Sequence, residues 1–288
     1  MRKRRMRESM SYVTLLVPVD TRPATDARLA LATALANRFD ASLIGVAAEM
    51  WRVPVMTDPL DGGYATGVVI GLEQAQIEAR LSQAEAKFKA ATSAVKAGSE
   101  WRQAMQPPLT AAAAEACCAD LIVMNHRVHD DGSSMSTVVP AALVLAAGRP
   151  VLIAPPEMTN LKLQTVLVAW KDVREARRAV VDALPILKVA DAVVVAEVCP
   201  HDEERATEAR LARVTAYLQR HGVRAASKIS VEEKDVSAAD QLLALAEDVR
   251  PDLIVAGAYG HARLQEWVFG GFTKALLAQR SRAVLLSH

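Results

Sequence analysis

Leu16-Val17-Pro18-Val19 near the start of the chain returns in its middle as Leu167-Val168-Ala169-Trp170, 151 residues later. Asp40-Ala41-Ser42-Leu43-Ile44 returns at the same distance as Asp191-Ala192-Val193-Val194-Val195. Further on, Ala119-Asp120-Leu121-Ile122-Val123 is matched by Pro251-Asp252-Leu253-Ile254-Val255, and Arg149-Pro150-Val151-Leu152-Ile153 by Arg282-Ala283-Val284-Leu285-Leu286. A chain that repeats itself in this way is two copies of one structural unit. The later offsets shrink because the first copy is longer, and the extra residues fall in Met50–Gly71, which reads as a long Pro/Gly-containing loop.

Each repeated run is short, apolar and without alternation, as in a parallel strand covered on both faces. The segments between them carry Ala, Leu and Val at three- and four-residue spacing, as in Ala27–Phe39 and Arg174–Val189, and read as helices. Alternating strands and helices give an α/β fold. The expectation is two tandem doubly wound domains, each a five-stranded parallel sheet with helices on both faces. Pro155-Pro156 and the turn-prone Thr159-Asn160 mark the linker. The domains then run 10–156 and 160–288, and residues 1–9 form a basic tail, disordered or upstream of a start at Met10.

Composition narrows the function. The 288 residues are 51% hydrophobic and 23% charged, which is globular. Net charge is +1, yet the tail holds Arg2, Lys3, Arg4, Arg5 and Arg7 against Glu8, so the body is mildly acidic and offers no general attraction for nucleic acid. No apolar run approaches the ~20 residues of a membrane span. The three cysteines, Cys117, Cys118 and Cys199, fit neither a zinc spacing nor a disulfide framework, and a reducing cytoplasm suits them. His126, His129, Asp130 and Asp131 cluster in one loop without a structural zinc pattern, so no metal is expected.

In a doubly wound sheet ligands bind beyond the carboxyl ends of the strands, which directs attention to Asp20, Lys171 and the segments after Met124 and Ala256. After the second copy's fourth strand comes Gly257-Ala258-Tyr259-Gly260, then nine residues from His261, then Gly270-Gly271-Phe272-Thr273 opening a helix. Glycines let backbone N–H groups approach a ligand, and a helix start offers free donors and a positive dipole end. On chemistry alone the stretch reads equally as a phosphate cradle, with Thr273 adding a hydroxyl, or as two turns. Lys171 reads either as facing an anion, with Trp170 stacked on a base, or as a solvated lysine beside a packed tryptophan. There is no Gly-x-Ser-x-Gly elbow, no Gly-x4-Gly-Lys-Ser/Thr loop and no GxGxxG after a first strand. No catalytic residue is assigned, and weak ATP hydrolysis is the most the sequence supports.

Gly-x2-Gly-x9-Gly followed by a small residue resembles the nucleotide-binding signature of the universal stress protein family. The endings Val17-Pro18-Val19-Asp20, the Ala-Asp-Leu-Ile-Val strand and the closing Arg-Pro-Val-Leu-Ile strand look like that family in both halves, so the chain resembles a tandem universal stress protein. The resemblance implies an adenine nucleotide, ATP or ADP/AMP, with an acid after the first strand and a valine on the second contacting the base. Asp20 and Val46 match these in the first half, whose Gly loop is replaced by Asn125-His126-Arg127-Val128. The second half retains Gly257, Gly260, His261, Gly270, Gly271 and Thr273 but has Lys171 for the acid. The expectation is therefore a stress-response protein binding nucleotide chiefly in its second domain. The alternative is a nucleotide-free scaffold, or an enzyme hydrolysing nucleotide. The resemblance also implies an intrachain pseudo-dimer through Pro150–Ala154 and Ala283–Ser287, with a homodimer and an unidentified protein partner as further assembly.

Overall fold

The computed structural model describes residues 11–50, 62–126, 137–260 and 271–288, with backbone alone over 62–70. The first half runs β1 (Thr14–Pro18), α1 (Ala24–Phe39), β2 (Ser42–Ala48), α2 (Gly62–Thr92), β3 (Ser99–Ala104), α3 (Pro108–Glu115), β4 (Leu121–Asn125), α4 (Pro140–Ala146) and β5 (Val151–Ala154). The second runs β6 (Thr165–Ala169), α5 (Arg174–Val189), β7 (Ala192–Cys199), α6 (Glu204–Arg220), β8 (Ala225–Val231), α7 (Ala238–Val249), β9 (Leu253–Gly257), α8 (Gly271–Ala278) and β10 (Ala283–Ser287).

The ten strands form one sheet in the order β3-β2-β1-β4-β5-β10-β9-β6-β7-β8. Each half is a doubly wound parallel sheet of five strands, as the sequence predicts. The halves meet where β5 and β10 pair antiparallel, Val284 on Ile153, Leu285 on Leu152 and Leu286 on Val151. Uninterrupted apolar runs suit this seam because both sheet faces are covered. One core layer gathers side chains of α1, α2, α5 and α6, and the other gathers those of α3, α4, α7 and α8.

Two sequence expectations change. The loop expected over Met50–Gly71 is shortened from its far end, since α2 begins at Gly62. The last proline before it is Pro59, so no proline in 62–71 blocks a helix, and elongation from the long helical segment that follows tolerates the glycines. The second strands are also shifted by one residue relative to the sequence match. Thr14 pairs with Ser42, and its counterpart Thr165 pairs with Ala192, not Val193. The turn from β1 to α1 has five residues and the turn from β6 to α5 has four, so Val46 has Ala196 as its counterpart.

The repeated Asp of the fourth strands has a structural role. Asp120 Oδ2 accepts the backbone N–H groups of Val13 and Thr14 (2.8 and 3.0 Å), and Asp252 Oδ2 accepts those of Gln164 and Thr165 (2.6 and 3.1 Å). Each carboxylate thus satisfies donors where the neighbouring central strand begins. Asp252→Ala is expected to lower unfolding free energy by about 1–2 kcal/mol, the net worth of hydrogen bonds to a charged acceptor at a partly exposed site, measured by urea denaturation.

Candidate functional site

Strands β1, β2 and β4 end together at the point where the strand order reverses. There Pro18, Val19, Asp20, Val46, Ala48 and Met124 line a cavity of about 40 Å³, with Thr137 and Val138 also in its wall. Asp20 is fixed by its own turn. Its Oδ1 accepts the Arg22 N–H (2.9 Å) and the Thr25 hydroxyl, and its Oδ2 accepts from Arg28 Nη2 (3.1 Å). A carboxylate has about four acceptor sites, so one remains for a ligand donor. Burial pushes its pKa up, but the Arg28 charge and the bonds from Thr25 and Arg22 outweigh this and hold it below the usual carboxylate value. Val46 is buried, 4% exposed, and its carbonyl accepts the Val19 N–H at 2.7 Å. Arg80 of α2 pairs with Glu49 at the rim, 3.3 Å.

The second half departs from this at each point. Trp170 stands in the place of Val19, its N–H bonded to the Ala196 carbonyl (2.7 Å) and its indole Nε1 buried with no partner among the described residues. Lys171 is exposed. Beside Ala196, Glu197 of β7 is 4% exposed and its Oε1 accepts from Arg210 Nη2 of α6 at 2.9 Å. The first half has the small, buried Ala47 at the matching position, so the second half sets a charged pair where the first has an apolar core residue.

The acid absent at 171 enters from elsewhere. Glu175, in the first turn of α5, is 4% exposed and paired with Arg174. The shorter turn sets it in the place of Thr25. Its Oε2 lies 3.0 Å from where a Cβ on Gly260 would be. Sequence reasoning missed this residue, because its only signal was the one-residue deletion in the turn.

Of the predicted glycines, Gly257 ends β9 under the N-terminus of α5. A Cβ there would lie 2.5 Å from the Ala176 nitrogen and the Glu175 carbonyl carbon, so this glycine allows the helix to approach the strand. Gly260 is exposed, and Tyr259 before it is held at φ +60°. Gly271 opens α8 with no atom within 4 Å of a Cβ position. Thr273 is buried, and its hydroxyl accepts the Tyr259 N–H at 3.3 Å, tying the α8 start to the turn after β9. His261 and Gly270 lie outside the described residues, as do Arg127, Val128, His129, Asp130 and Asp131.

In the first half the loop after β4 begins packed. Asn125 Nδ2 donates to the Pro155 carbonyl (3.0 Å), and His126 is 5% exposed, close to the backbone of Leu277 in α8 of the other half. Burial, and secondarily the charge of Arg280, lower the His126 pKa to about 4 against the opposing pull of the Leu277 backbone. The unfolded chain, with the ordinary value near 6.5, then binds the proton first. His126 supports the fold fully above about pH 6.5, and the support is lost as pH falls towards 4. His126→Gln is expected to flatten the fall in the urea midpoint between pH 7 and pH 4.

No sequence-family model matches the chain, and no curated protein does. Solved structures do. A universal stress protein from Archaeoglobus fulgidus DSM 4304 is 16% identical, with 95% of this chain and 95% of that chain covered and a TM-score of 0.64. A functionally unknown protein from Pseudomonas aeruginosa PAO1 is 15% identical over 98% and 94% of the two chains, with a TM-score of 0.55. A universal stress protein in complex with cAMP is 24% identical over 50% of this chain and 98% of its own, with a TM-score of 0.35. The fold is that of the universal stress proteins, and two such units stand in tandem in this chain. Among the described residues no helix is long and apolar enough to cross a membrane.

Proposed function

We propose that this is a cytoplasmic stress-response protein that binds an adenine nucleotide, ATP or ADP/AMP, and acts through ligand-dependent association. Its domains are 10–156 and 160–288 after a basic tail, working as an intrachain pseudo-dimer about the β5–β10 seam. The observation that carries the reading is the cavity at the ends of β1, β2 and β4, with Asp20 holding one acceptor site open beside the apolar wall of Val46 and Met124. That pairing suits an adenine ring, which needs an acceptor for its amino group and apolar surface for its faces. We assign the base to the first half for this reason. The cavity is smaller than a nucleoside, so binding requires the rim at Thr137, Val138 and the Arg80–Glu49 pair to open.

A second reading puts the phosphates in the second half, on Gly257, Gly260, His261, Gly270, Gly271 and Thr273, with Lys171 nearby. It is favoured by the exposed glycines at 260 and 271 beside the start of α8. Against it stands the Glu175 carboxylate next to Gly260, a negative charge where a phosphate would lie. Glu175→Gln is therefore expected to strengthen binding of inorganic triphosphate by about threefold to tenfold if this half is used, read by calorimetry.

The chain purified without added nucleotide, extracted and examined by mass spectrometry, is expected to release an adenine nucleotide. The stripped protein should melt higher in millimolar ATP, because a ligand that binds only the folded state stabilises it. No extracted nucleotide and no shift would leave the scaffold reading in its place.

A further inference from the structure

At the opposite end of the strands from Asp20 lies a chemically separate feature. Cys117 and Cys118 follow α3 in a single 3-10 turn (Ala116–Cys118). Both thiols are free and exposed, with their sulfurs 3.4 Å apart. The Arg102 guanidinium of β3, held by Glu100 (2.9 and 3.1 Å) and Glu115, sets its positive charge beside the Cys118 sulfur. Arg102 and Cys118 line a groove of about 390 Å³ with Thr14, Ser42, Gly98 and Ser99.

We propose that Cys117 and Cys118 form a two-thiol clamp for a trivalent thiophilic atom, of the class of monosubstituted trivalent arsenicals, whose organic substituent occupies the adjoining groove. The spacing selects this class. Neighbouring residues joined by a trans peptide have Cα atoms 3.80 Å apart, below the 4.4 Å minimum usual for a disulfide, so direct bonding of the two sulfurs is opposed. One atom bound to both at ~2.3 Å, the usual length for zinc to sulfur, would subtend about 95° at 3.4 Å separation. That angle suits a pyramidal three-coordinate centre better than a tetrahedral one. Among the described residues no group of three or more metal-ligating side chains exists, so a closed zinc site is not built here. Soft thiolates favour soft partners.

The step balances without oxidant or reductant. An arsenical R–As(OH)2 exchanges its two As–O bonds for two As–S bonds, and the two thiol protons leave with the hydroxyls as two waters. Arg102 assists by stabilising the Cys118 sulfur as thiolate, the nucleophilic form. The Arg102 guanidinium and the Cys117 thiol beside that sulfur outweigh burial and the Glu115 charge, and lower its pKa.

The test uses the full chain, reduced and freed of reductant, with phenylarsine oxide as the probe. Intact mass is expected to show one arsenical per chain, retained in about a hundredfold excess of monothiol because the second bond forms at high effective concentration. Cys117→Ser and Cys118→Ser, both at exposed positions, should each lose retention by about 100-fold, and Cys199→Ser should keep it. Arg102→Gln should slow capture at pH 7, with the rate recovering as pH rises through the ordinary thiol range. Retention unchanged in either single-serine variant, loss only on replacing Cys199, or recovery of a Cys117–Cys118 disulfide in place of the adduct would overturn the proposal.

Discussion

Gly257→Val is expected to cost about 3 kcal/mol or more, because overpacking against fixed backbone cannot be relieved by a side-chain rotation. The valine Cβ would meet the Ala176 nitrogen and the Glu175 carbonyl carbon at 2.5 Å, so α5 would have to lift from the end of β9. That helix packs on both β9 and β10, and its displacement would reach the seam between the halves. Gly271→Ala, where a Cβ meets nothing, should change stability by less than about 0.5 kcal/mol. Thermal or urea unfolding of the two variants separates these outcomes. Equal stability would show that Gly257 is not a packing residue and return it to the role of a ligand contact.

Asp20→Asn is expected to have a comparable effect by a different cause. Arg28 is only 8% exposed along its side chain, and its Nε already lacks a partner. Removing the opposing charge leaves a guanidinium buried and uncompensated, which costs about 3–5 kcal/mol in pairs of this kind. The pH dependence carries the sign. Asp20 has its folded pKa depressed, so its contribution is complete above its unfolded value near 3.9 and is lost as pH falls through the lower folded one. The gap in urea midpoint between wild type and variant should therefore be constant from about pH 7 to pH 5 and close below the ordinary carboxylate range. The double variant Asp20→Asn, Arg28→Met should recover much of the loss, since no charge is then left unpaired. A gap that persists undiminished at pH 2 would mean that Asp20 acts through shape alone.

The inner strands were legible because they are uninterrupted apolar runs, and the repeat of those runs gave the two halves and their order of elements. The outermost strands β3 and β8, by contrast, carry charged residues and half-exposed faces. Pairing of β5 with β10 followed from two apolar strands that would otherwise be edges. The candidate site was legible only in part. Asp20 was pointed to by the strand-end rule and Val46 only by the family resemblance, and the two line one cavity. Glu175 and Glu197 were not found, because each acts through a partner that tertiary packing supplies. Glu175 meets a glycine 85 positions away, and Glu197 meets an arginine on the next helix. The matched Asp40 and Asp191 concealed the single-residue shift between them, since the deletion lies upstream in the turn where neither half has a repeating pattern. Lys171 looked diagnostic as a replaced acid, yet with one residue fewer in its turn the chain turns it to solvent and brings Glu175 inward.

The proposed occupant of the first-half cleft is an adenine nucleotide. Calorimetric titration of ATP into the nucleotide-stripped full chain, repeated with Ala48→Trp and Gly260→Val, tests it most directly. Ala48 is half-buried at the end of β2, so a tryptophan there fills the cleft from its rim while thermal unfolding checks that the fold is kept. One saturable site per chain is expected, weakened at least about 100-fold by Ala48→Trp and little changed by Gly260→Val. Binding that survives Ala48→Trp and disappears with Gly260→Val would contradict it and assign the nucleotide to the second half.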